Sequence, residues 1–212
     1  MYGQNSGIFF HKRSRIPAAS AEHMEISGSV VLLAMILAIP MGILCSHFTK
    51  LQLFLERFFG VLRIIPGLAV LLLCIPVMGT GVKPAVTALT ILAIPPILMN
   101  TVQGFQSLPK EILEAAEAMG MSRRRCFFQV RLPLAFPIMY AGIRTAAVEV
   151  IASATLASYI GAGGLGDIIF TGLGLMRMDL LYIGGVSVAV LSLLTGYVLD
   201  RIYRYQTRYL CN

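Results

Sequence analysis

The chain has 212 residues, 57% of them hydrophobic and only 13% charged, with a mean hydropathy of +0.80 and a formal net charge of +7. A soluble globular domain carries about 25% charged residues, so this composition excludes a water-wetted fold and points to lipid as the solvent. The excess positive charge lies between apolar runs and not on one face, which fits the orienting of membrane segments and speaks against nucleic acid as a partner.

In chain order, residues 1–25 are polar and mixed, and residues 1–21 are expected to lack firm structure. Apolar runs then follow at about 26–48, 58–78, 84–102, 133–159 and 180–199. Each is long enough to cross a hydrocarbon layer of ~30 Å at ~1.5 Å per residue, and only helices can do so without orphaned backbone groups. The expected fold class is therefore an all-α membrane protein with five transmembrane helices. The glycine-rich stretch 161–175, which contains Asp167, is too short and too polar for a sixth. A basic tail, 201–212, closes the chain.

Five crossings put the termini on opposite sides. With the N-terminus outside, the inner side holds Lys50, Arg57, Lys110, Arg123, Arg124, Arg125, Arg131, Arg201, Arg204 and Arg208. The outer side holds Lys12, Arg13, Arg15, Lys83 and Arg177. Ten against five favours N-out and C-in. Prolines fall inside the expected spans at Pro40, Pro66, Pro95, Pro96 and Pro137, where neighbouring helices can satisfy the carbonyls they free. Four scattered cysteines (Cys45, Cys74, Cys126, Cys211) and three histidines (His11, His23, His47) show no metal-ligand spacing, so the thiols read as isolated and reduced.

Between the third and fourth runs, residues 107–132 are too charged to cross and read as two short helices with a sharp joint. Ser107 is a candidate cap for the first, Pro109 and Glu111 suit its first turn, and Gly120 stops it. Ser122 then caps a second helix that is expected to end before Pro133. Ile112, Ala116 and Met119 share one face of the first helix, and Ala115, Ala116 and Ala118 offer a small-residue knob. Glu114-Ala115-Ala116, three residues, Gly120, nine residues and Val130-Arg131-Leu132-Pro133 resemble the E-A-A-x3-G-x9-I-x-L-P loop of ATP-binding-cassette (ABC) importer permeases, with Val130 in place of Ile. The resemblance implies a type I importer core whose loop docks on a separate ATPase, with Glu114, Ala115, Ala116, Gly120, Val130, Leu132 and Pro133 forming the contact and its turn.

Further stretches, Ile39 to Leu44, Ile65 to Ala69, Gly142 to Ala146 and Ala154 to Gly166, are similar to the osmoprotectant branch of those permeases, which carries glycine betaine, carnitine and choline. Arg63 and Glu149 depart from that pattern. Relatives of the same fold carry other solutes such as methionine, which stands as the alternative. Intramembrane charge is costly and marks functional positions. Arg144, ~16 Å past Pro133, is expected near mid-bilayer and Glu149 ~7 Å further out, rotated ~140° away, so that an intrahelical pair is disfavoured. Both are candidates for the pathway or a subunit interface. The run Ala152-Ser153-Ala154-Thr155 and the pair Gly184-Gly185 suit close helix packing.

No G-x-x-x-x-G-K-[ST] phosphate cradle and no catalytic or metal constellation occurs in the sequence. The chain is thus expected to bind no cofactor and to be no enzyme, with ATP and magnesium bound by a partner ATPase. Its expected partners are ABC ATPase subunits, a second permease (identical or related), an extracytoplasmic substrate-binding protein and the lipid bilayer. A secondary transporter would show internal repeats, and none is found.

Overall fold

In the computed structural model, residues 15–62 and 64–207 are described. His11, Lys12, Arg13, Arg63, Arg208 and Cys211, used above, lie outside them. The described chain folds into α1 (Arg15–His47), α2 (Thr49–Leu62), α3 (Gly67–Met78), α4 (Val82–Gln106), α5 (Lys110–Ala118), α6 (Arg123–Cys126), α7 (Leu132–Ala157), α8 (Leu165–Gly174) and α9 (Met178–Thr207). A π-helical segment, Phe127–Arg131, joins α6 to α7, and a short 3-10 turn, Ser158–Ile160, follows α7. Among the described residues, four helical stretches are long and apolar enough to cross a membrane: Ile16–His47, Val82–Gln106, Arg123–Ile160 and Met178–Tyr205.

The centre of the bundle is α4, packed against α1 on one side and α7 on the other. Its best apolar window is 67% buried, against 11% for α9, so α4 is the core and α9 a face for lipid or another subunit. Glycines let these backbones close in. A Cβ on Gly42 of α1 would lie 2.7 Å from Cβ of Thr101, and one on Gly104 of α4 would lie 2.9 Å from the carbonyl of Ala135. In lipid, where apolar burial adds little, such close contact supplies the packing energy. At one end the loop before α4 is tied to α7, with the Gly81 N–H donating to the Ile160 carbonyl at 2.8 Å. The opposite end carries α5 and α6 and is called the hairpin end below.

Two expectations are corrected. The first helix begins at Arg15, so residues 15–21 do not lack firm structure but belong to α1, which starts about three turns ahead of Ile26. There His23 reaches across from α1, its Nε2 2.9 Å from the carbonyl of Ile151 on α7. The run at 58–78 is not one helix: α2 stops at Leu62 and α3 starts at Gly67, with Pro66 as its N-cap. Pro66 has no N–H to continue a ladder and pushes Ile65 out of the helical region, so the proline ends the helix inside the expected span. The basic tail is helical as far as Thr207, as part of α9. Stretch 161–175 behaves as expected, giving only the ten-residue α8.

Candidate coupling hairpin and membrane pathway

The hairpin forms for the local reasons its residues suggest, with two exceptions. Gly120 takes φ 75°, and its N–H donates to Glu117 while that of Met121 donates to Ala116. This double bond is the Schellman stop that glycine permits at left-handed φ. Ser122 caps α6 by accepting from the Arg125 N–H at 3.4 Å. Ser107, by contrast, does not cap α5. Its hydroxyl donates back to the Gly104 carbonyl at the end of α4, and Pro109 precedes α5 without a side-chain cap.

Nor does the second short helix end before Pro133. It widens into the π turn, in which the Leu132 N–H donates to Phe127, and runs on into α7. A π turn accommodates an extra residue, and its widened ladder takes in Pro133, which has no N–H to donate. One helical path therefore runs from Arg123 to Ile160, from the hairpin through the whole bundle. Its base is seated by a small apolar cluster of Phe105, Ala135 and Met139, against which Leu132 and Phe127 pack. Phe105 and Phe127 stack at 5.8 Å with planes 7° apart.

Structure divides the small-residue knob. Ala116 is only 2% exposed, with Leu113 half-buried beside it, and this edge holds α5 on its own chain. Ile112 (42% exposed) and Met119 (71%) share Ala116's face in the helical wheel, yet they stay open, as do Glu114 and Ala115. The free surface of α5 is thus an apolar strip, Ile112–Ala115–Met119, bordered by the exposed acids Glu111 and Glu114. Val130, Leu132 and Pro133 are half-buried in the π turn and the start of α7.

Arg144 lies sixteen residues, ~24 Å along the helix, from the Ile160 end. Its guanidinium pairs with Asp200 of α9 at 2.9 Å, at the edge of that helix's apolar run. Tyr140, one turn before it, donates to the Leu199 carbonyl at 2.8 Å and stacks on Tyr203 at 5.4 Å. These contacts join α7 to α9 near the hairpin end. Asp200, Tyr140 and Tyr203 were not singled out in the sequence, because a cross-helix pairing over more than fifty residues leaves no local pattern. Glu149 lies eleven residues, or ~17 Å, from Ile160, and it is exposed. Of the proposed packing residues, Ala154 is buried and a Cβ on Gly184 would meet Ile169 at 2.5 Å, whereas Gly185 has open space.

Residues 32–210 match the family described as binding-protein-dependent transport system inner membrane components. The chain belongs to that family. It is 43% identical over 181 residues to the carnitine transport permease protein OpuCB of Listeria monocytogenes, covering 85% of this chain and 83% of that one. It is 39% identical over 180 residues to the glycine betaine/carnitine/choline permease OpuCB of Bacillus subtilis, with the same coverage. Among solved structures, an inward-facing MetNI methionine ABC transporter superposes with a TM-score of 0.80 at 22% identity, covering 91% of this chain and 96% of that one. The chain is thus a permease subunit of a type I ABC importer, a multi-pass protein of the inner membrane. Its sequence kinship is with osmoprotectant permeases.

Proposed function

We propose that this permease forms half of the pathway through which a quaternary amine such as glycine betaine, carnitine or choline enters the cell. The observation that carries this reading is the 43% identity to a carnitine permease across 85% of the chain. In this reading a binding protein delivers the solute, a second permease (identical or related) completes the pathway, and ATP and magnesium are bound only by partner ATPase subunits. The hairpin end faces the cytoplasm, giving N-out and C-in. Lys50, Arg57, Lys110, Arg123, Arg124, Arg125, Arg131, Arg201 and Arg204 gather there, whereas Arg15, Lys83 and Arg177 lie towards the opposite end.

The strip Ile112–Ala115–Met119 with Glu114 docks on the ATPase. Gly120 fixes the turn, and Val130, Leu132 and Pro133 pass the movement into α7. Arg144 braces α7 on α9, and Glu149 faces the pathway or the second subunit. The test is uptake of labelled glycine betaine, carnitine and choline by cells that lack their own systems and express the complete importer. Uptake of at least one, uncompeted by excess methionine, is the expected result. Uptake of none of the three, with methionine taken up, overturns the assignment.

A further inference from the structure

Of the described helices long enough to cross a membrane, α9 is the one least covered by its own chain. Residues 180–199 hold no charged side chain and, at ~1.5 Å each, match a hydrocarbon layer of ~30 Å. Charge begins directly beyond them, with Asp200, Arg201 and Arg204. Val190, Leu194, Tyr197, Arg201 and Arg204 follow one another at spacings of four and three, which makes them one stripe along the helix. All five are exposed, and so is Tyr205, four residues after Arg201.

Two observations indicate what covers this stripe. The first is residue size. Helices meet in lipid through small residues, and α9 turns its buried glycines to its own chain. A Cβ on Gly184 would lie 2.5 Å from Cγ1 of Ile169, and one on Gly196 would lie 3.7 Å from Cγ2 of Val148. Ahead of its arginines the open stripe offers only valine, leucine and tyrosine, which suit acyl chains. The second observation is charge. Asp200 is the only acid after Asp179, and Arg144 of α7 engages it. Among the described residues neither Arg201 nor Arg204 forms an ion pair. An arginine at such a border lays its carbon stem on apolar surface and holds its guanidinium in the headgroup layer, where tyrosine also settles. The planar donors of a guanidinium match phosphate oxygens. A zwitterionic headgroup brings its own ammonium, so two uncompensated guanidiniums favour a lipid with net negative charge.

We propose that Arg201 and Arg204, flanked by Tyr197 and Tyr205, bind the phosphate of an anionic lipid in the leaflet at the hairpin end. The proposal rests on the chain's being a membrane-spanning permease. It is independent of the solute carried and of which leaflet that is.

The test uses the complete importer, its native cysteines replaced by Ala, in phosphatidylcholine vesicles with a minor share of phosphatidylglycerol. A small fluorophore is attached at Leu194→Cys on the stripe or, as control, at Ile36→Cys on α1. The two sites are comparably open, at 56% and 59%, and no Lys or Arg lies near Ile36 in the chain. Phosphatidylglycerol and phosphatidylcholine with brominated chains, which quench on contact, are compared at equal amounts. A basic residue near an anionic surface gains about fivefold in binding. Brominated phosphatidylglycerol should therefore quench at Leu194→Cys about fivefold or more better than brominated phosphatidylcholine, while at Ile36→Cys the two should quench alike. Arg201→Gln combined with Arg204→Gln should abolish the preference. Equal quenching by both lipids at Leu194→Cys overturns the proposal, as does a preference that survives the double substitution. Quenching there by neither lipid, because the second permease covers the stripe, overturns it too. If the double variant does not assemble with the ATPase, the two single variants decide. Quenching needs no transported solute, so a wrong solute assignment leaves this outcome unaffected.

Discussion

Arg144 on α7 and Asp200 on α9 meet at 2.9 Å where the apolar run of α9 ends, and the Tyr140–Leu199 hydrogen bond fastens the same two helices a turn away. Because α7 is continuous with the hairpin, this pair lies on the route by which movement of α5 and α6 would reach α9. Both side chains are more than a third open, at 46% and 35%, so the attraction is worth on the order of 0.5–1 kcal/mol. Arg144→Ala is expected to lower the thermal midpoint of the purified complex slightly. Arg144→Asp should lower it further by setting two carboxylates face to face, and the swap Arg144→Asp with Asp200→Arg should recover most of the loss. A swap no better than Arg144→Asp alone would show that the pair does not act as a pair.

Ala115 and Ala116 are neighbours with opposite surroundings. Ala116→Glu would force a carboxylate into a site that is 2% exposed, and a destabilisation of about 2–4 kcal/mol is expected, read as loss of folded permease on size-exclusion chromatography. Ala115→Glu sits on the open strip and should leave the permease folded. It should, however, reduce permease-dependent ATPase turnover about tenfold or more by adding unpaired charge to a close-packed contact. Equal behaviour of the two variants would contradict the division of α5 into a seated edge and a docking edge.

What the sequence made legible follows from the range of each interaction. Apolar runs, the Gly120 stop and the Ser122 cap are set by residues within a few positions of one another, and the structure keeps them. The break at Pro66 was harder to foresee. A proline in an apolar run either kinks or ends a helix, and here it follows the β-branched pair Ile64-Ile65 and precedes Gly67, all poor at holding the turn together. Which side of α5 is seated depends on Leu113 and Ala116 meeting the rest of the chain, and the helical wheel carries no information on that.

The contact of α4 with α7 predicts a sharp contrast between two glycines. A Cβ on Gly142 would stand 2.5 Å from Cβ of Asn100 and 2.6 Å from the Pro96 carbonyl, while Gly185 has nothing within 4 Å. Overpacking of this kind costs about 1–3 kcal/mol, and the Pro96 carbonyl cannot retreat as a side-chain tip would. Gly142→Ala should therefore lower thermal stability in detergent by several degrees. Gly185→Ala should be neutral or slightly stabilising, because alanine is the better helix former. If both substitutions were tolerated alike, the α4–α7 backbones would have to be further apart than described.

At the other end of the bundle, Glu22 accepts from the Gly164 N–H at 2.9 Å, holding the loop that starts α8 against α1. Gly164 has φ 82°, which suits glycine alone, and Asp167 follows in the first turn of α8. Burial first, and the charge of Glu22 second, raise the Asp167 carboxyl above its ordinary 3.8. A carboxyl raised in this way holds its proton more tightly folded than unfolded. Its contribution is thus full below the ordinary value and is lost as the pH climbs through the raised one. Asp167→Asn should flatten this part of the decline in thermal stability with rising pH. Glu22→Gln keeps an oxygen for Gly164 but removes the charge, so it should shrink the decline without abolishing it, because burial is the larger cause. Glu22→Ala should shrink it equally and, in addition, weaken the complex at every pH by about 1 kcal/mol through the lost hydrogen bond. A decline of the same size in Glu22→Gln as in the unaltered protein would rule out electrostatic coupling between the two carboxylates.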